Sequence, residues 1–146
     1  MQDPIFSPIE FLSPEYDSCV KLRDQELRKP LNLEFTSEQL EEESNQFHFG
    51  LFDDEMILFA CLTFKEMPDL KLKMRQVVVS KQYQFIGFGK ILVFEAEQWA
   101  ILNGYSEIIL HARDTAIPFY EKCGYQKIDD SFIEVNILHW KMSKVL

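Results

Sequence analysis

Cysteine is scarce in this chain: Cys19, Cys61 and Cys123 are the only three, widely separated and in apolar settings. With no CxxC pair and no metal-ligand spacing, neither a disulfide framework nor a bound metal is expected, and the thiols read as reduced, in a cytoplasmic protein. Glycine and proline number only 5 and 6, too few for a disordered or linker-rich chain. Nowhere do about 18 apolar residues run together, and Met1-Gln2-Asp3-Pro4 has no basic segment leading into an apolar stretch, so neither a membrane span nor an export signal is expected. Positive charge is in deficit: 15 Lys and Arg against 24 Asp and Glu give a formal net charge of -9. No basic cluster rises above that background, so nucleic acid and anionic membrane are not expected partners, and small or cationic ones are.

What is present suits a packed core. Of 146 residues, 47% are hydrophobic and 14% aromatic, with 13 Phe, which points to one domain over residues 1–146 that buries its apolar surface without staples. Ser13-Pro14-Glu15 supplies an N-cap, a first-turn proline and an acid, predicting a helix over 14–28 that stops at Lys29-Pro30. Thr36-Ser37-Glu38-Gln39 matches a capping box ahead of a short acidic helix through Glu43. Phe47 to Phe52 and Met56 to Phe64 read as a hairpin, and Leu70, Leu72 and Met74 alternate with Lys71, Lys73 and Arg75 in a third strand that turns fully apolar at Val77-Val78-Val79.

A helix from Gly89 or Lys90 to Asn103-Gly104 follows, then a strand from Ser106 to Ala112. Strand, glycine loop, helix and strand in that order form a crossover unit with its two strands parallel. Asp114 is expected to cap a further helix ending at Cys123-Gly124, with Tyr125 to Ile128 and Ile133 to Met142 as closing strands. No internal repeat is visible.

The sharpest chemistry lies at Gln84-Phe85-Ile86-Gly87-Phe88-Gly89, where two glycines open a helix directly after an apolar strand. Such a loop can turn backbone N–H groups towards an anion, and the helix start adds about half a positive charge, which favours a pyrophosphate. A dinucleotide fingerprint would need its third glycine at Leu92, and a P-loop would need four residues between its glycines and a following Ser or Thr. Alone, the loop could equally be a structural turn. A second segment, Ala116-Ile117-Pro118-Phe119-Tyr120-Glu121-Lys122-Cys123-Gly124-Tyr125, follows the second parallel strand at a spacing that can bring Tyr120 to the same cleft.

Together, Gln84-x-x-Gly87-x-Gly89 and the later Ala-x-x-Phe-Tyr-x-Lys-x-Gly-Tyr segment resemble the GNAT superfamily of N-acetyltransferases from about Phe47 to the C-terminus, and Leu22-Arg23 through Pro30-Leu31, Leu110-His111-Ala112-Arg113 and Glu134-Val135 through His139 look like its ElaA and YjcF-like branch. The resemblance implies an α+β fold: a mixed, mostly antiparallel sheet with one splayed parallel strand pair, flanked by helices. It implies acetyl-CoA as cosubstrate, its pantetheine pairing with the backbone of Val77, Val78 and Val79, and its pyrophosphate cradled by Gln84, Phe85, Ile86, Gly87, Phe88, Gly89 and Lys90. Arg113, Phe119 and Tyr120 complete the implied cofactor set. Arg113 stands where many members have Asn, and Asn136 and Leu138 where the branch has Gly and Pro.

The implied reaction is direct attack of a neutral primary amine, on a small molecule or a peptide, upon the thioester, with alignment supplying much of the acceleration. Tyr120 matches the family's usual donor to the departing thiolate. Glu134 and His139 match polar positions of the branch and are candidates for the base, as are Glu43 and a relayed water. A homodimer is compatible with the resemblance. His111, on an apolar strand, reads as a core or supporting residue, and Cys123 as a small hydrophobe rather than a nucleophile paired with His111 or His139. The alternative of another class is a catalytically silent CoA-binding module serving regulation or interaction.

Overall fold

The computed structural model describes residues 3–146; Met1 and Gln2, part of the N-terminal stretch read above for a leader, lie outside the described residues. The core of the fold is an eight-stranded sheet of β1 (Ile5–Ile9), β2 (Phe47–Phe52), β3 (Leu58–Met67), β4 (Lys71–Val79), β5 (Glu107–Arg113), β6 (Gln126–Lys127), β7 (Phe132–Glu134) and β8 (Ile137–Val145), in the order β1-β2-β3-β4-β5-β8-β6, with β7 also paired to β8. Every neighbouring pair is antiparallel except β4 and β5, the mixed sheet that the sequence led one to expect. Strand β1 (Ile5–Ile9) was not foreseen, because Pro8 interrupts a short apolar run. It sits at the sheet edge on β2 (Phe47–Phe52), where a residue without an N–H is tolerated.

Helix α1 (Pro14–Arg23) begins as expected, with the Ser13 side chain accepting from the Tyr16 N–H at 3.1 Å. It does not continue as one α-helix to residue 28. A π-turn over Asp24–Arg28 and a 3-10 turn over Lys29–Leu31 replace the last turns, since Pro30 has no N–H to continue the α pattern. The capping box at Thr36 forms in both directions, with Gln39 N–H donating to Thr36 Oγ1 at 3.1 Å and Thr36 N–H donating to Gln39 Oε1 at 3.0 Å, and it opens α2 (Ser37–Glu41).

Strand β3 (Leu58–Met67) turns into β4 (Lys71–Val79) through Asp69 and Leu70, whose φ values of 65° and 59° give the mirror-image turn that suits a hairpin. The crossover then runs through α3 (Phe88–Leu102) to β5 (Glu107–Arg113). Parallel pairing covers only Lys71↔Glu107 to Met74↔Leu110. Beyond it β4 is bulged: from Cys61↔Val78 to Thr63↔Arg75, β3 advances two residues where β4 advances three, and Gln76 takes φ 55°. An extra residue bends the bulged strand, so the ends of β4 and β5 part. It also reverses the alternation of side chains: Leu72 and Met74 face the α3 core, and so do Val77 and Val79, while Val78 turns to the core beneath α1.

The C-terminal third differs most from expectation. Asp114 does not cap a helix; it opens a 3-10 turn and accepts from Trp140 Nε1 at 3.1 Å, and α4 (Ile117–Lys122) starts three residues later. Strand β6 is reduced to Gln126–Lys127. The single strand expected over Ile133 to Met142 is a hairpin, β7 (Phe132–Glu134) and β8 (Ile137–Val145), turning at Val135 and Asn136 with φ of 44° and 61°. Val at a left-handed position is unfavourable, which is why the apolar run concealed the turn.

Behind the sheet, α1 and the 3-10 turn that follows α2 are joined by a buried ion pair. Arg23 and Glu43 are 1% and 3% exposed, and the guanidinium donates to both carboxylate oxygens at 2.8 and 2.6 Å. Burial alone would raise the Glu43 carboxyl; the Arg23 hydrogen bonds and charge outweigh it and hold the group below its ordinary range. The Tyr16 hydroxyl donates to Glu43 at 2.8 Å. Since a carbonyl only accepts, His48 must carry its proton on Nε2, which lies 3.0 Å from the Glu43 carbonyl, and Nδ1 accepts from the Thr63 hydroxyl at 3.1 Å. Burial pushes the His48 imidazole below its usual pKa, so it is neutral in the fold.

Two consequences are testable by urea unfolding. Arg23→Leu strands the Glu43 carboxylate and is expected to remove about 3–5 kcal/mol of stability, whereas Arg23→Leu with Glu43→Leu recovers much of it; equal losses in both variants would refute the pairing. Because the folded pKa of His48 lies below the unfolded value, its contribution is complete above about pH 6.5 and declines as pH falls below that. His48→Gln should flatten this acid slope, and an unchanged slope would refute the assignment.

Candidate active site

The parting of β4 and β5 creates a cleft of about 390 Å³. One wall is β4 from Lys73 to Val77, the other is β5 from Leu110 to Arg113 with Tyr120 above it, and the segment around Arg28 and Leu33 covers one side. Of the three valines expected to meet a pantetheine arm, Val77 borders this cleft, while the Val79 carbonyl accepts the Gln84 side chain at 2.8 Å. Gln84 thus ties the following loop to the end of β4.

The loop itself is anchored and open at once. Phe88 packs on Phe59 and Tyr83, with ring centroids 5.0 and 5.7 Å away, so this residue holds the loop to the core rather than facing outwards. Phe85 is fully exposed, at φ 65°, and Lys90 is exposed on the first turn of α3. Ile86 is likewise largely exposed. Gly87 is the N-cap at φ 101°, and a Cβ built there would meet no atom within 4 Å. Helix α3 has neither a side-chain cap nor an acid in its first turn, which leaves its leading N–H groups and its positive end available to an anion. Gly89 has a different reason: its Cβ would come within 3.2 Å of the Phe119 ring and 3.6 Å of Val79. The second glycine thus spares the Phe119 ring of α4 a tight contact with α3.

Phe119 and Tyr120 meet edge to face at 5.0 Å on α4. Tyr120 is 9% exposed, and its ring borders the cleft. Burial, and then the neighbouring Cys123, raise the phenol above its ordinary pKa, so it remains a proton donor near neutrality. Cys123 does not border the cleft; it ends α4, its carbonyl accepts from Lys144 at 2.8 Å, and burial raises its thiol.

On the opposite side of the cleft the β7–β8 hairpin brings three groups together. Glu134 Oε2 lies 3.6 Å from His111 Nδ1 and 3.8 Å from His139 Nε2. His139 Nδ1 donates to the Ile137 carbonyl at 2.8 Å, so a neutral His139 presents the lone pair of Nε2. His111, expected as a core or supporting residue, borders the cleft, edge-on to Phe132 at 4.9 Å. Its imidazole is held below its usual pKa by burial and then by Lys73, against the pull of Glu134. Glu43, the other acid considered for the acceptor side, is consumed in the buried pair with Arg23. Arg113 ends β5 opposite His139 and borders the cleft. Lys73 and Arg75 do so as well; the sequence showed them only as the polar half of an alternating strand.

A protein-family model described as the acetyltransferase (GNAT) domain matches residues 17–146. The chain is 30% identical over 124 residues to the uncharacterised N-acetyltransferase YjcF of Bacillus subtilis, covering 84% of this chain and 87% of that protein. Among solved structures, an aminoglycoside 6'-N-acetyltransferase complexed with coenzyme A has the same fold at TM-score 0.81 and 18% identity, over 97% of this chain and 96% of that one. Escherichia coli ElaA matches at TM-score 0.80 and 16% identity, over 97% and 99%. The bulged β4, the splayed parallel pair and the glycine loop at the head of α3 thus stand in a chain that belongs to the GNAT family of acetyltransferases.

Proposed function

We propose that this protein transfers an acetyl group from acetyl-CoA to a primary amine by direct attack within a ternary complex, in the cytoplasm. The observation that carries the reading is the single cleft bordered by Tyr120 on one side and by Glu134 and His139 on the other. The residues present fit a coenzyme A moiety: the uncapped start of α3 and the open space above Gly87 suit a pyrophosphate, and the unpaired edge of β4 beyond Met74 suits an extended amide-bearing arm. Bound there, acetyl-CoA supplies a thioester whose acyl carbon is open to an amine.

The protein's own part is to align and to move protons. An ammonium must lose a proton before it can attack, and the Nε2 lone pair of His139, with the Glu134 carboxylate beside it, would accept one. As nitrogen bonds to the acyl carbon and the carbon–sulfur bond breaks, the leaving sulfur takes up charge. In this reading Tyr120, kept protonated by burial, would share its proton with that sulfur. Among the described residues no helix is long and apolar enough to cross a membrane, and the three cysteines are free.

Coenzyme A and acetyl-CoA are expected to raise the melting temperature well above the effect of NAD or ATP at equal concentration, as linkage requires of a specific ligand. Gly87→Val should weaken acetyl-CoA binding by about 2 kcal/mol, because a side chain at this φ strains the loop and intrudes where the phosphate would approach. Equal melting shifts from all four ligands, or full affinity in a folded Gly87 variant, would remove this site.

Tyr120→Phe keeps the ring and should leave acetyl-CoA affinity nearly intact on calorimetry, while lowering turnover with the best amine by roughly tenfold to a thousandfold. Normal turnover would remove Tyr120 as the donor. Binding of acetyl-CoA with no transfer to any of a broad panel of amines and peptide N-termini would favour the silent module instead.

A further inference from the structure

The cleft reverses the charge balance of the chain. Over the whole sequence acids outnumber Lys and Arg by 24 to 15. Around the cleft, Arg28, Lys73, Arg75 and Arg113 face a single acid, Glu134. The register explains the concentration. Lys73 and Arg75 follow each other on β4, opposite Lys65 and Thr63 of β3, and on β8 Lys141 lies opposite His111. Lys65 opposite Lys73 is a like-charge pair, which is unfavourable in a sheet whose only purpose is to fold.

These cations are not consumed internally. Among the described residues the ion pairs involve other cations, and Lys73, Arg75 and Arg113 have no carboxylate partner. Arg75 donates to the neutral Gln46 amide at 2.8 Å, and Arg28 stacks over the Phe35 ring at 4.4 Å. Burial disfavours the charged form of Lys73, and after the opposing pull of Glu134 so do Arg75, Lys65 and Lys141. Burial does the same at Arg28, followed by Arg23 and Arg75. A cleft lined by one sign of charge and partly withdrawn from water concentrates ligands of the other sign.

Nor does the coenzyme's pyrophosphate account for them. Leu72 and Met74 point to the α3 core, so Lys73 and Arg75 lie on the opposite face of β4, towards α1 and the segment of Arg28. The loop at the start of α3 has its own flanking cations, Lys81 and Lys90.

We propose that the acceptor is an amine that also carries a carboxylate, bound through Lys73 and Arg75 with Arg28 and Arg113 around it, so that its amino group faces Glu134 and His139. This rests on the acetyltransferase reading and narrows its acceptor class. A polyamine would meet repulsion in this cleft. A free amino acid and a peptide N-terminus followed by an acidic side chain share the required chemistry.

The test is binding, measured by calorimetry with and without saturating coenzyme A. Alanine, β-alanine and phenylalanine are each compared with the corresponding carboxamide and decarboxylated amine, 1,4-diaminobutane serves as the diamine, and a tripeptide with Glu at its second position is compared with its Gln counterpart. The best carboxylate ligand is expected to bind at least about tenfold more tightly than its neutral analogue, the effect of one charge-assisted hydrogen bond. That ratio should fall towards one in Lys73→Gln and in Arg75→Gln, survive in Lys73→Arg, and be unaffected by Lys21→Gln, which changes net charge equally on exposed α1. The arm showing the preference identifies free amino acid or peptide. Equal binding of acid and amide in every arm, tighter binding of the decarboxylated amine or the diamine, or a ratio unchanged in both cleft variants would overturn the proposal. Failure to transfer acetyl groups with this preference intact would strike the enzymatic reading alone.

Discussion

From Thr63 to Cys61 strand β3 steps two residues while β4 steps three, from Arg75 to Val78, and everything distinctive about the site depends on that mismatch. An antiparallel ladder can absorb one extra residue only by a local kink. Here the kink falls just after Met74, at the last pair that joins β4 to β5. The two parallel strands would otherwise continue side by side and satisfy each other's backbone. Instead they part, and the chain acquires a cleft with an unpaired strand edge on one wall. The parity change carries a second effect: Lys73 and Arg75 face the open side before the bulge, and Val77 and Val79 face the core after it.

Around that opening the fold is held by buried polar groups as much as by apolar packing. Arg23 and Glu43 join α1 to the segment after α2, and His48 fixes that segment to β2 and, through Thr63, to β3. This network lies behind the sheet, and Arg23 shares the Phe35 ring with Arg28, in the stretch from Leu27 to Leu33 that borders the cleft. On the other side Glu97 of α3 is 4% exposed; it accepts from the Tyr125 hydroxyl at 2.8 Å and from Lys144 at 3.0 Å. Lys144 also donates to the Cys123 carbonyl at the end of α4. The helix that carries Tyr120 is thus clamped at its C-terminus, and Phe119 seats its other flank on Gly89. If Tyr120 donates as proposed, a side chain held by two such contacts would need little rearrangement at the moment of reaction.

The sequence by itself determined the periodic elements and the glycine loop proposed to hold the cofactor. The capping box at Thr36, the Ser13-Pro14 start of α1, the crossover of β4, α3 and β5, and the glycines at 87 and 89 are local signals, each depending on the geometry of a few consecutive residues. Even there the reason could shift, as at Gly89, where the constraint is the ring of Phe119, thirty residues away in sequence and adjacent only in space. Tertiary structure alone decided the side proposed for the acceptor. The Val135-Asn136 turn folds β7 back and delivers Glu134 to His139 and His111, while Glu43, equally plausible on paper, is withdrawn by Arg23. The same holds for charge. Lys71, Lys73 and Arg75 alternating along one strand are indistinguishable from an ordinary solvated face, and a net charge of -9 suggests nothing basic at all. Only the pairing of strands adds Arg113 and Lys141 to the same face, because electrostatic potential sums over distance in space, and sequence records only distance along the chain.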